Sequence, residues 1–159
     1  MAPTPPPKPG SFSCDRVVRF RDTDAAGVVY FGAVLDFCHE AYERSLAAAG
    51  LDLRTFFSAQ GYGVPIAQAE VQFLRPLFCG DRLTITLTPQ QTAPNRFEIT
   101  YDLFLSDRRD RPVGHARTCH VCIDAATRSP LDLPPELIHW LDQLPPENPI
   151  PKTPPETEK

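Results

Sequence analysis

Apolar positions recur along the chain with two different periods, and the switches between them outline a fold. Residues 12–21 place Phe12, Cys14, Val18 and Phe20 on one face, the period of a strand. Residues 22–29 are rich in turn formers. From residue 31 to 49 the period lengthens. Phe31, Val34, Leu35, Cys38, Ala41, Tyr42, Leu46 and Ala49 recur at helical spacing, while Asp36, Glu40, Glu43 and Arg44 fall on the other side. No proline interrupts this stretch, and Gly50 follows it as a stop signal.

Beyond a linker the strand period returns four times. Ala67, Ala69, Val71 and Phe73 alternate with Gln68, Glu70 and Gln72; Leu83, Ile85 and Leu87 alternate with threonines. Phe97, Ile99, Tyr101, Leu103 and Leu105 alternate with mainly polar neighbours, whereas residues 113–123 are β-rich without a clear polar side. Turn signals at 79–81, 93–95 and 107–112 separate the runs. A short helix is expected over residues 135–144. Short connections favour antiparallel neighbours, and one long amphipathic helix needs a large apolar surface to bury its stripe. The expected fold is therefore α+β, a five-stranded antiparallel sheet wrapped around one long helix.

Composition sets the limits of that unit. The chain has 159 residues and 19 prolines, eleven of them within 1–9 and 145–159. These ends carry almost nothing apolar to offset the entropy of ordering, so residues 1–11 and 145–159 read as disordered tails around a domain at 12–144. No apolar run approaches a membrane span, and no secretory signal opens the chain. A cytoplasmic protein is the expectation. The net charge of −4 argues against a nucleic-acid partner. Five scattered cysteines form no disulfide framework and fit reduced thiols.

The densest chemical signal is Asp22-Thr23-Asp24-Ala25-Ala26-Gly27-Val28-Val29-Tyr30-Phe31. Carboxylates and glycine between a strand and a helix usually mean turn and capping chemistry. A second reading comes from the helix start that follows. Its free N–H groups can hold an oxyanion while a nearby carboxylate attacks a carbonyl or activates water against it.

The segment resembles the signature of the hotdog thioesterases related to 4-hydroxybenzoyl-CoA thioesterase, and the likeness extends over about residues 12–123. The resemblance implies that Asp24, the second carboxylate of the Asp-x-Asp turn, is catalytic as nucleophile or general base. It also implies that the backbone N–H of Phe31 polarises the thioester carbonyl. Gly27 and Tyr30 of the same signature are assigned to substrate contact. One branch of the family carries Val-Val-Tyr-His-x-Asn-Tyr, but Phe31-Gly32-Ala33-Val34 lacks its His and its Asn-Tyr pair. Cys38-His39-Glu40-Ala41-Tyr42-Glu43 and His120-Val121-Cys122-Ile123 are instead similar to the cyanobacterial branch that hydrolyses 1,4-dihydroxy-2-naphthoyl-CoA in phylloquinone synthesis. Ala25 stands where that branch carries glycine.

The implied function is hydrolysis of an aromatic acyl-CoA, with CoA part of the substrate and no cofactor. The alternatives are a broader thioesterase for fatty or benzoyl esters, and a non-catalytic hotdog module that binds CoA esters or a carrier protein. Cys119-His120-Val121-Cys122 is no metal set, because it lacks a second ligand pair and its thiols point to opposite faces of a strand. His39, Glu40 and Glu43 read as a polar helix face. Arg108, Arg109 and Arg111 are either a solvated loop or a contact for CoA phosphates. Open sheet edges favour pairing with a second copy, as a homodimer or homotetramer. The resemblance places the active sites at that interface.

Overall fold

Leu83, Ile85 and Leu87 on one strand and Phe97, Ile99, Tyr101 and Leu103 on the next are all 2 % exposed or less, and they form the floor of the core. They belong to β4 (Arg82–Ala93) and β5 (Arg96–Leu105), a long antiparallel hairpin at the middle of a five-stranded sheet. Its neighbours are β1 (Phe12–Val17) beside β4 and β6 (Gly114–Val121) beside β5; β3 (Ile66–Phe73) lies outside β6. All pairings are antiparallel and the order is β1-β4-β5-β6-β3. The structure is a computed structural model that describes residues 10–144. The expected disorder of residues 1–9 and 145–159 lies outside the described residues, while Gly10 and Ser11, assigned to the tail from sequence, are buried.

Helix α1 (Ala33–Ala48) lays Val34, Phe37, Cys38, Ala41, Tyr42 and Leu46 on the sheet. Gly50, at φ +89°, stops it. The Gly50 N–H reaches the Ala47 carbonyl at 3.0 Å, and the Leu51 N–H reaches the Leu46 carbonyl at 3.1 Å. A four-residue helix α2 (Leu53–Phe56) follows, then the short strand β2 (Tyr62–Gly63), which pairs with β7 (Ile123–Asp124). The last helix, α3 (Pro135–Gln143), closes the open end of the core with Leu137 and Trp140 fully buried. This is the hotdog architecture expected from sequence.

Three expectations change in detail. The first strand stops at Val17 rather than running to residue 21, and Phe20 is 84 % exposed instead of sharing the inner face. The side chain of Asp22 causes this. Its Oδ2 accepts the Arg19 N–H at 2.8 Å, and the Asp22 N–H returns to the Arg19 carbonyl at 3.0 Å, turning the chain into a 3-10 turn (Phe20–Asp22). Regular helix begins at Ala33, so Phe31 and Gly32 form the turn that enters it. Strand β6 is cleanly two-sided after all, because its inner face carries Ala116, Thr118 and His120. Those residues are too small or too polar to show in hydropathy.

His120 is the unusual member of this core. It stacks on Phe97 with ring centroids 4.5 Å apart and lies 5.0 Å from the Tyr42 ring; its Nε2 shares a 2.8 Å hydrogen bond with the Thr118 hydroxyl. Burial, followed by the charge of His39, pulls its pKa from 6.5 down to about 4. An unfolded chain therefore takes up a proton that the folded chain refuses between those two values. The resulting stability is complete above pH 6.5 and is lost as pH falls towards 4. The shift is worth roughly 3 kcal/mol. Denaturant unfolding from pH 7.5 to 4.5 should show a loss of that order that His120→Phe lacks; the same pH slope in the variant would contradict the assignment.

Candidate active site

The two carboxylates of the turn have opposite surroundings. Asp22 is 7 % exposed, and both its oxygens lie 3.2 Å from Nη2 of Arg16. Arg16 is itself largely buried. Its Nη1 donates to Glu40 of α1, and its guanidinium carbon lies 4.1 Å from the centre of the Phe37 ring. Asp24 is exposed and makes no ion pair among the described residues. Its Oδ1 accepts the Ala26 N–H at 2.8 Å, while Oδ2 meets no donor among the described residues. One carboxylate holds the turn and the other is left with a free oxygen.

The backbone between them is tied at several points. The Asp24 N–H donates to the Val28 carbonyl and the Gly27 N–H to the Asp24 carbonyl, both at 3.0 Å. Gly27, at φ +76°, adopts a left-handed conformation that costs other residues roughly 1 kcal/mol. Thr23 bridges to Val29, and the Tyr30 N–H reaches back to the Asp22 carbonyl at 2.8 Å. The next two N–H groups, of Phe31 and Gly32, have no acceptor among the described residues. They lie just before the first turn of α1, where the helix dipole favours an anion.

Asp24 and Phe31 share the lining of a cavity of about 390 Å³, within the range of small-molecule sites. The rest of its wall is largely apolar and includes Val28, Val34, Val71, Phe73, Leu103 and Val113. Arg75 is its one other charged side chain, and sequence reasoning did not single it out. Gly27 and Tyr30 are not part of this wall. Gly27 shapes the turn, and the Tyr30 ring packs 4.5 Å from that of Phe31.

The three arginines of the β5–β6 turn separate. Arg108 and Arg109 line a neighbouring groove, while exposed Arg111 lies outside it, 3.9 Å from Asp110. Arg109 is already engaged, donating to the Thr84 hydroxyl at 2.8 Å and lying 3.7 Å from Asp15.

Other candidate chemistry resolves into structure. Glu40 is bound by Arg16, and Glu43 lies 2.9 Å from Nδ1 of His39; neither lines the apolar cavity. All five cysteines are unpaired. Burial pushes the Cys38 thiol up to about 12, which suppresses the reactive thiolate. Cys119 contacts Glu98 on the outer face while Cys122 is buried, so these two thiols diverge. Among the described residues no group of three or more His, Cys, Asp or Glu side chains could hold a metal ion, and no helix is long and apolar enough to cross a membrane.

The profile of the thioesterase-like superfamily matches residues 18–141. The 1,4-dihydroxy-2-naphthoyl-CoA hydrolase of Nostoc punctiforme is 51 % identical over 132 residues, which is 83 % of this chain and 87 % of the relative. The protein of the same name from Thermosynechococcus vestitus is 50 % identical over 132 residues, 83 % of this chain and 89 % of the relative. The crystal structure of a 1,4-dihydroxy-2-naphthoyl-CoA thioesterase from Synechocystis superposes with a TM-score of 0.79 at 36 % identity, covering 84 % of this chain and 97 % of that one.

The contrast between the carboxylates has a direct consequence for stability. Asp22→Asn leaves Arg16 largely buried with one partner fewer and should cost about 3 kcal/mol. Urea unfolding measures that loss. A variant as stable as the parent would show that the pair does not hold the turn.

Proposed function

The chain belongs to the thioesterase-like superfamily, and from that premise we propose that it hydrolyses 1,4-dihydroxy-2-naphthoyl-CoA to the naphthoate and CoA, a step of phylloquinone synthesis. The observation that carries this reading is the sharing of one apolar cavity by a carboxylate with a free oxygen and an unbonded backbone N–H. The largely apolar wall suits a fused aromatic acyl group.

With the acyl group in the cavity, the thioester carbonyl oxygen points at the Phe31 N–H. That donor is worth most in the tetrahedral intermediate, where the oxygen carries full negative charge. Asp24 acts in one of two ways. As nucleophile it forms an anhydride with the acyl carbon and expels CoA thiolate, and water then cleaves the anhydride. As general base it takes a proton from water, whose oxygen attacks the same carbon before the thiolate leaves. Either route consumes one water and releases carboxylate and thiol. An alkyl thiol ionises near pH ~8.5, so thiolate departs without a strong general acid. The reading calls for no metal or organic cofactor.

A second copy of the chain completes the cavity in this reading. Strand β3 is a sheet edge with free backbone groups, and Phe73 (54 % exposed), Phe31 (66 %) and Leu74 line the same cavity while facing solvent. Covering them in a homodimer or homotetramer would bury apolar surface and occupy that edge. Light scattering should give twice or four times the chain mass, and a fully active monomer would overturn this assembly.

Asp24→Asn preserves the shape of the turn but removes the anion. Thiol release from 2-naphthoyl-CoA should slow by ~10²–10⁴ in kcat, with circular dichroism and light scattering unchanged. A well-folded variant within about tenfold of the parent falls below that range and would refute the role of Asp24.

A further inference from the structure

Beside the apolar cavity lies a larger open groove of about 1380 Å³, and Pro76 belongs to the wall of both. Six arginines line the groove: Arg16, Arg19, Arg21, Arg82, Arg108 and Arg109. They come from the end of β1 and the turn after it, the start of β4, and the β5–β6 turn. Four acids share the lining, Asp15, Glu40, Asp81 and Asp107, so raw composition does not settle the charge.

The hydrogen bonds show which of these charges are already engaged. Glu40 is taken by Arg16, and Asp15 by the Thr84 hydroxyl at 2.7 Å and by Arg109. Asp81 caps its own turn, accepting the Phe78 N–H at 2.8 Å. Arg21 lies 3.9 Å from Asp22, whose oxygens already serve Arg16 and the Arg19 N–H. Arg19, Arg82 and Arg108 remain, exposed and with no carboxylate partner among the described residues. The chain as a whole carries a charge of −4, and its three lysines lie outside the described residues. Asp81 and Asp107 offset part of this charge, yet three guanidiniums without a carboxylate partner still favour an anion, and their planar forks match phosphate oxygens.

We propose that this groove is the phosphate site of the substrate, with Arg82 and Arg108 gripping the phosphates of the CoA moiety and Arg19 assisting. The inference rests on the CoA-ester reading above and adds to it the residues that recognise the leaving group. An acyl group in the cavity forces the far end of the CoA onto a surface outside it, and the groove that shares Pro76 is such a surface. Arg109 and Arg111 drop out, one because it is bound to Thr84 and Asp15, the other because it lies outside the groove.

Two esters of the same acid test this: 2-naphthoyl-CoA, and the 2-naphthoyl thioester of N-acetylcysteamine, which lacks every phosphate. Arg82→Gln with Arg108→Gln should raise KM for the CoA ester about tenfold at low salt, with kcat little changed. The difference should narrow as salt rises, and hydrolysis of the truncated ester should be unaffected. An unchanged KM for the CoA ester, or an equal loss on both esters, would overturn the proposal. If the parent hydrolyses neither ester, the hydrolase reading fails by itself. Calorimetric titration of free CoA then decides the groove separately: weaker binding to the double variant supports it, and equal binding refutes it.

Discussion

Everything around the site depends on one largely buried cation. Arg16 leaves β1 beneath the start of α1, where an unpaired guanidinium would be prohibitively costly to desolvate. It is compensated by Asp22 from the turn, Glu40 from the helix and the face of the Phe37 ring. Those partners belong to the turn and to the helix, so satisfying one charge on the strand fixes strand, turn and helix together. Asp22 is also the hub of the backbone, since its carbonyl receives the Tyr30 N–H and its carboxylate receives that of Arg19. The loop carrying Asp24 thus stands on a base that cannot shift without uncovering a charge.

This base explains why two carboxylates separated by a single residue behave so differently. The first has its oxygens committed to a cation and a backbone N–H. The second projects from a closed loop whose neck is the Thr23–Val29 bridge and whose tip is the left-handed Gly27. It is held in place through the backbone, with one carboxylate oxygen left open for chemistry. Ala25 tolerates its place in this loop because the positive φ falls at Gly27.

Much of this was legible in the sequence, and the failures have physical causes. The β4–β5 hairpin and α1 were read correctly because each buries one face, which leaves a clean period. The sidedness of β6 was missed because the strand buries Thr118 and His120, using rings stacked against Phe97 and Tyr42 where hydropathy expects aliphatic groups. The first strand was drawn too long because the pattern of Val18 and Phe20 cannot reveal a side chain at Asp22 that outcompetes the ladder. At the site, Asp24 and Phe31 were singled out by the family resemblance that the local motif carries, since turn residues alone read equally as capping chemistry. The partners of Asp22 were invisible because Arg16 and Glu40 meet only once the strand and helix have packed. The arginine groove was only half seen, since Arg19, Arg82 and Arg108 come from three segments far apart in sequence.

The layout of charge also bears on why so little machinery is present. The cavity is lined by one carboxylate and by Arg75, and Pro76 separates it from the arginine groove. In the proposed reaction, low polarity around the carbonyl would strengthen the Phe31 N–H, because its dipole is not averaged against water. The same low polarity would penalise a second buried acid, and a thiolate leaving group removes the need for one. In the proposed reaction strong charge stays outside, where it would orient a polyanionic leaving group without raising the cost of burying it. An oxygen ester would need a proton donor at its leaving atom, and among the described residues Asp24 is the one acidic or imidazole side chain that lines the cavity. On the proposed reading a thiolate leaves without such a donor, which fits a wall whose charged side chains among the described residues are Asp24 and Arg75.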